Sequence, residues 1–305
     1  MAIISRQFFK QKPADIILDL LLAVLCVLIF IIIVYPLYFV VIASFSNSID
    51  VNAGRVFLYP VRASFYGYSK IFEDTRIWEG YKNTILYTFL GTAINLAVTL
   101  PASYALSRRS FAPRRVIMSL FIFTMFFSGG MIPTYMLMRD IKLINTIWVM
   151  MIPFCISVYN LIITRTFMET SIPADLYEAA VLDGCSHFRY FISVALPLSK
   201  AVISVIGLYY FVGHWNDFFN ALLYLNKDSM QPLQMVLRNI LLSNQVFLQG
   251  AGSGAGVGGA GGYAQQYADQ IKYGVIIVST LPVLCLYPFI QKYFERGVMI
   301  GALKG

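Results

Sequence analysis

The sequence predicts an all-α polytopic membrane protein with about six transmembrane helices, and three observations predict it. Of 305 residues, 58% are apolar and only 12% are charged, and the mean hydropathy is +0.70. A soluble domain carries about 25% charged residues, and a chain this apolar could not cover its core with polar surface. The apolar residues also gather into runs near the ~20 residues that cross a bilayer. Finally, basic residues crowd the short links between runs, as they do on the cytoplasmic side of membrane proteins.

The first run, near Leu20 to Phe45, is uncharged and holds Pro36 as a kink. It is too long for the core of a secretory signal and ends without a small-x-small cleavage site, so it reads as a retained helix. Further spans are expected near Thr84 to Leu106, Val116 to Leu137, Ile144 to Ile163, Val194 to Phe211 and Tyr273 to Ile290. The fifth is the weakest, because it contains Pro197 and Lys200, whose ammonium can snorkel to an interface. Cys26, Cys155, Cys185 and Cys285 lack metal-ligand spacing and read as packing residues.

Arg108, Arg109, Arg114 and Arg115 place the link between spans two and three in the cytoplasm. Counting spans then puts both termini inside, with Arg6, Lys10 and Lys12 at one end and Lys292, Arg296 and Lys304 at the other. The net charge of +8 is this asymmetry, not a nucleic-acid surface. Outside lie a long loop over residues 46–83, a link around Arg139 to Lys142, and a long segment from about Asn216 to Gln270. That segment includes Gly250 to Gly262, almost pure Gly and Ala, which reads as a flexible linker. Its formal G-x-G-x-x-G match follows no strand and carries no dinucleotide reading. The sequence has no Walker A motif, no H-E-x-x-H and no G-x-S-x-G, and almost no ionisable residue at mid-span. Ion-coupled carriers need such residues, so the energy for any transport is expected from a partner.

The cytoplasmic link between spans four and five, residues 171–198, is the informative stretch. Ser171 is expected as an N-cap, with Pro173 in the first turn and Asp175 complementing the helix dipole. A strong helix-forming run follows to Asp183, and Gly184 stops it where a left-handed backbone suits glycine alone. A second short helix can start near Ser186. The result is a helix-turn-helix with small residues on one face, either docking a protein partner or lying on lipid. Its acidic character, from Glu178 and Asp183, favours the partner, since a lipid-facing helix is basic.

Glu178-Ala179-Ala180, Asp183-Gly184, Ile192 and Leu196-Pro197 together resemble the EAA loop of binding-protein-dependent ABC importer permeases. Asn83-Thr84, Tyr104 to Arg108, Ile132 to Tyr135, Leu143 to Thr146, Trp215 to Phe218 and the tail from Phe294 to Gly305 are similar to the maltose-type carbohydrate permeases. The resemblance covers roughly residues 10–305, apart from the Gly-rich insert; Cys185 stands where the family more often has Ala. It implies a type I importer (MetI-like) permease fold in a bacterial cytoplasmic membrane. The chain would be a transporter subunit and not an enzyme, carrying a carbohydrate of oligosaccharide class. The partners implied are a second homologous permease, a cytoplasmic ATPase dimer that binds ATP and Mg, and an extracytoplasmic solute-binding protein. The rival readings are the same machinery importing an amino acid or peptide, and a membrane receptor or enzyme without an ATPase.

Glu178, Ala179, Ala180, Asp183 and Gly184 are then the expected ATPase-coupling residues. Tyr209, Tyr210, His214, Trp215, Asn216, Asp217 and Asn220, the most polar-aromatic stretch at a span end, are either pore lining or structural at an outer gate. The organisation expected is residues 1–81 as the N-terminal segment, first span and external loop, 82–291 as a five-helix permease core, and 292–305 as a cytoplasmic tail.

Overall fold

The computed structural model describes residues 13–251, 271–285 and Pro288, and every regular element among them is helical. They fall into two compact units. One runs up to Ile71 and takes in Asn244–Val278; the other comprises Phe72–Ser243 and the residues from Ser279 onward.

The first unit is led by α1 (Pro13–Ser44), 32 residues with Pro36 inside the helix. At 1.5 Å per residue it is about 48 Å long, well beyond the ~30 Å of a hydrocarbon core. Its apolar side chains from Ile16 to Val41 face outward, which is the arrangement lipid favours, and burial begins only at Ile42. The stretch expected as a bare loop is instead partly helical: α2 (Ser48–Asn52) and α3 (Tyr66–Glu73) form within it. Asn47 caps α2 by accepting from the Ile49 N–H. Asp50 is buried, 1% exposed, and its carboxylate takes two hydrogen bonds from Arg62, at 2.6 and 2.7 Å, and one from Arg55 at 3.4 Å. The Arg62 hydrogen bond outweighs the desolvation and holds the Asp50 carboxyl below its ordinary value. Ser46 closes the same loop by accepting from the Val61 N–H.

The second unit is arranged around α4 (Thr75–Ser107), whose inward face is a stripe of small and hydroxyl residues. Gly80, Thr84, Thr88, Gly91, Asn95, Thr99, Ser103 and Ser107 are buried, while Ile85, Leu86, Phe89, Leu90 and Val98 point out. The spacing of three to four residues keeps the stripe on one face. Small residues let helix backbones approach closely where lipid removes the hydrophobic drive between helices. A Cβ on Gly80 would lie 3.0 Å from the Leu233 backbone, and one on Gly91 would lie 2.5 Å from the His214 ring. The hydroxyls bind the partners: Thr99 to Tyr210 at 2.8 Å, Ser103 to the Leu161 carbonyl at 3.3 Å, and Thr84 accepting from the Leu233 N–H at 2.8 Å. Those partners lie on α11 (Lys200–Trp215), α7 (Val158–Ser171) and α13 (Leu233–Ala251).

Several expected spans are not continuous helices. Only Asp15–Ser44 and Thr75–Ser107 are long and apolar enough to cross alone, and counting two bent pairs as spans gives up to four among the described residues. The run expected as span three divides into α5 (Arg114–Phe126) and α6 (Met131–Asp140), bent by 114°. Gly130 permits the turn with φ +86°. Span four, expected over 144–163, is a short 3₁₀ turn at Ile147–Met150, then an irregular passage through Pro153 and Phe154, then α7. Span five breaks at Ser199, just after Pro197, with an 82° bend into α11. Conversely, the segment read as an external connection forms α12 (Phe219–Tyr224) and α13, with Leu233, Met235, Val236 and Leu237 buried. The last helix, Ile271–Cys285, covers the start of span six. Both basic termini and all of the Gly-rich stretch after Ala251 lie outside the described residues. Cys26 and Cys285 face outward and do not pack.

Asp50→Asn should free the loop between Asn47 and Ser64 while leaving the helical bundle intact. A carboxylate with a lowered value stabilises above its ordinary 3.8 and stops doing so as pH falls through the lowered value. Hydrogen exchange, corrected for its intrinsic pH dependence, should show faster exchange at Arg55 and Val61 in the variant. The wild-type loop should lose the same protection only at acid pH. Unchanged protection in the variant would remove the ion cluster from the account.

Candidate functional site

Two features of the second unit carry chemistry beyond packing. The first is α8 (Ala174–Leu182), which follows α7 after the extended residue Ile172. Ser171, expected from sequence as its N-cap, does not cap it. Ser171 is the last residue of α7, because Pro173 forces the residue before it out of the helical region. The C-terminus does behave as expected. Asp183 is the C-cap, Gly184 has φ +73°, its N–H donates to Val181 at 3.0 Å, and the Cys185 N–H donates to Ala180 at 2.8 Å. That pair of bonds is a Schellman closure. Ser186 then caps α9 (His187–Tyr190) by accepting from the Arg189 N–H. A π-helical turn at Phe191–Ala195 and α10 (Leu196–Leu198) complete the link.

One side of α8 is held and the other is bare. Tyr177, Ala180 and Cys185 pack on a cluster of Tyr104, Met168, Ile172, Tyr190, Phe191 and Ala195. Glu178, Ala179, Asp183 and Gly184 are exposed, so four of the five expected coupling residues share the open surface and Ala180 turns inward. Sequence reasoning missed the larger apolar members of that surface, Leu182 at 88% and Phe188 at 73% exposure. A Cβ at Gly184 would meet nothing within 4 Å.

The second feature is a cavity of about 590 Å³ between α4, α7, α11 and α12. Of the seven residues expected at a pore or gate, Tyr209, Tyr210, His214, Asp217 and Asn220 line it. Trp215 and Asn216 do not. The Trp215 indole is buried and donates to the Ser279 carbonyl at 3.1 Å, and the Asn216 amide donates to the Val212 carbonyl. Asn95, Ser157, Tyr159, Asn160 and Tyr224 also line the cavity. Asn95 was visible as a lone amide in an apolar span, which is a functional signal in a membrane. His214 reaches it at 3.2 Å, and Asp217 holds the Asn220 side chain at 2.8 Å. Tyr210 is also a clamp: besides Thr99, its hydroxyl accepts from the Ser157 N–H at 3.1 Å. Phe154, at the rim, has φ +60°, a strained conformation for a bulky residue. Asn145 accepts from the Asn226 N–H at 2.6 Å, fixing the end of α12. No group of metal-ligating side chains occurs among the described residues.

A helical membrane bundle with an open cavity lined in part by polar and aromatic side chains, and one bare helix on a link, is the build of a transport permease. Residues 76–300 match the family described as the binding-protein-dependent transport system inner membrane component, and the chain belongs to that family. It is similar to Protein LplC of Bacillus subtilis (strain 168), 37% identical over 89% of this chain and 90% of that protein. It is 36% identical to the polygalacturonan/rhamnogalacturonan transport system permease protein YtcP of the same organism, over 94% of this chain and 95% of that one. Among solved structures, a chain of a bacterial ABC transporter involved in import of the acidic polysaccharide alginate superposes with TM-score 0.83. That chain is 32% identical, with 93% of this chain and 99% of that one covered. The MetI-like permease fold expected from the EAA resemblance is therefore the fold of this chain.

Two adjacent tyrosines should separate packing from cavity chemistry. Tyr210→Phe removes the partner of the buried Thr99 hydroxyl and the acceptor of the half-buried Ser157 N–H, and should cost about 1–3 kcal/mol of stability. Tyr209→Phe, at a half-open position on the cavity wall, should leave the melting temperature of the purified protein unchanged and alter only transport. Equal melting temperatures for the two variants would contradict the clamp.

Proposed function

We propose that this chain is the permease subunit of an ATP-driven importer, moving an oligosaccharide delivered by an external binding protein. The observation that carries the reading is the bare face of α8. Leu182 and Phe188 are large apolar residues left exposed among the described residues, beside Glu178, Ala179, Asp183 and Gly184. In a segment expected in water, such a patch calls for a protein partner. The EAA resemblance supports a cytoplasmic ATPase, which would hold ATP and Mg, as that partner. A second, homologous permease completes the pathway. The carbohydrate class rests on relatives: YtcP is named for polygalacturonan/rhamnogalacturonan transport, and the solved neighbour is a chain of a transporter involved in the import of alginate. The cavity suits that class, with tyrosine faces for sugar rings and asparagine amides for hydroxyls.

In this mechanism the chain catalyses nothing. Nucleotide closes the ATPase pair, which binds one state of the permeases better than the other and so shifts an alternating-access equilibrium. The basic clusters support an orientation with α8 and both termini in the cytoplasm of a bacterial cell. Thiols introduced at Ser5 and Ala302, in a chain cleared of its four native cysteines, should react only with a reagent admitted to the inside. Reaction from the outside in intact cells would reject that orientation.

Gly184→Trp tests the coupling. The left-handed backbone with a Cβ costs on the order of 1 kcal/mol, and among the described residues nothing lies within 4 Å of the added Cβ. The variant should insert normally yet lose transport and the ATPase stimulation given by loaded binding protein. Normal stimulation would show that this surface does not couple the two halves.

A further inference from the structure

We propose that Arg108 is the positioning residue that joins α8 to α4, so that displacement of the docking segment is delivered to the helix that lines the cavity. The inference rests on the functional reading above and adds a residue to it. Among the described residues no other helix packs extensively along α8, which is held to the bundle by its chain connections and by side chains. The Arg108 guanidinium sits at the centre of those side chains. It lies 4.5 Å from the Tyr104 ring centroid, 4.8 Å from that of Tyr177 and 4.9 Å from that of Tyr190. The three rings belong to α4, α8 and α9, and Arg108 itself is the C-cap of α4.

The arginine is held by the rings and not by an acid. It forms no ion pair among the described residues, and its Nε is buried without a hydrogen bond. The neighbouring basic residues behave differently. Arg114 and Arg165 share Glu169, at 3.5 and 2.8 Å, and Arg109 and Arg115 are exposed. A cation enclosed by three aromatic faces is attracted to all of them at once, and most strongly where water is excluded. The rings also hold one another: Tyr177 meets Tyr190 edge-on at 5.2 Å, and Tyr104 lies against Phe191 at 5.0 Å. The arrangement lets α8 carry α4 with it, whereas a solvated arginine chosen only for membrane orientation would need no ring.

The test uses the whole importer, permeases with ATPase and binding protein. Arg108→Gln should still co-purify with the ATPase and hydrolyse ATP at the unstimulated rate. Its stimulation by loaded binding protein should fall about tenfold, as expected for loss of a part-buried cation–π cluster with three rings. Tyr177→Phe keeps the ring and should keep stimulation within about twofold, whereas Tyr177→Leu should lose it as Arg108→Gln does. If Arg108→Gln is not recovered from the membrane, the Tyr177 pair decides alone. Full stimulation in Arg108→Gln or Tyr177→Leu overturns the joint, as does equal loss in Tyr177→Phe and Tyr177→Leu, which would assign the link to the hydroxyl. A wild-type complex that binds no ATPase, or shows no stimulation, would instead reject the functional reading itself.

Discussion

The close approach of helices along the inner face of α4 is the constraint on which the second unit depends. In lipid, an outward Leu gains nothing by turning inward, so association needs contacts that lipid cannot offer. Small side chains at Gly80 and Gly91 give that approach, and the hydroxyls of Thr84, Thr99 and Ser103 bond to α13, α11 and α7. Each of these bonds satisfies a group that would otherwise be unpaired away from water, which is costly. The same logic explains α1, whose apolar surface is exposed from Ile16 to Tyr38, first meets a helix of its unit where Phe39 packs edge-on against Tyr273, and has no polar stripe to bury.

A core built from polar residues makes packing and function hard to tell apart, and neighbouring residues take different roles. Tyr210 bridges two helices while Tyr209 opens to the cavity, and Trp215 is anchored on Ser279 while Asp217 reaches the cavity and caps α12. Even Asp217 serves twice, because the cap that fixes α12 also fixes Asn220 on the cavity wall. Polarity near a span end therefore located the region but could not sort its members, since only helix phase decides which side chain faces the void.

What the sequence revealed follows the physics that is local. Two long spans were legible because length and hydropathy suffice for α1 and α4. The end of α8 was legible because a left-handed residue after a helix needs glycine, and Gly184 has that backbone. Spans three to five were read as straight because an apolar run says nothing about direction: a 114° reversal at Gly130 leaves composition unchanged. α13 was missed because its apolar stretch, Leu233–Leu242, is too short to cross a membrane and was not expected to pack. Arg108 was counted only as a topological charge, since its three rings come from positions as far apart as 104 and 190.

The geometry of α4 connects the two candidate sites. From Arg108 to Asn95 is thirteen residues, about 20 Å along a helix axis at 1.5 Å per residue. Pro101 lies between them, and proline in a helix removes one backbone hydrogen bond and invites a kink. Yet α4 runs unbroken from Thr75 to Ser107. The position of its neighbours explains how the weak point is supported. Thr99 is tied to Tyr210 on one side of Pro101, Ser103 is tied to the Leu161 carbonyl on the other, and Arg165 donates to the Leu106 carbonyl one turn further. Tyr210 in turn holds Ser157, at the start of the same α7 that carries Leu161 and Arg165. α7 thus splints α4 across the proline, so that on the coupling proposed above a push at Arg108 would reach Asn95 and His214 as movement of a rod rather than as bending at Pro101. A helix that lacked either tie would keep its span but not its stiffness, and the cavity wall would no longer follow the docking segment.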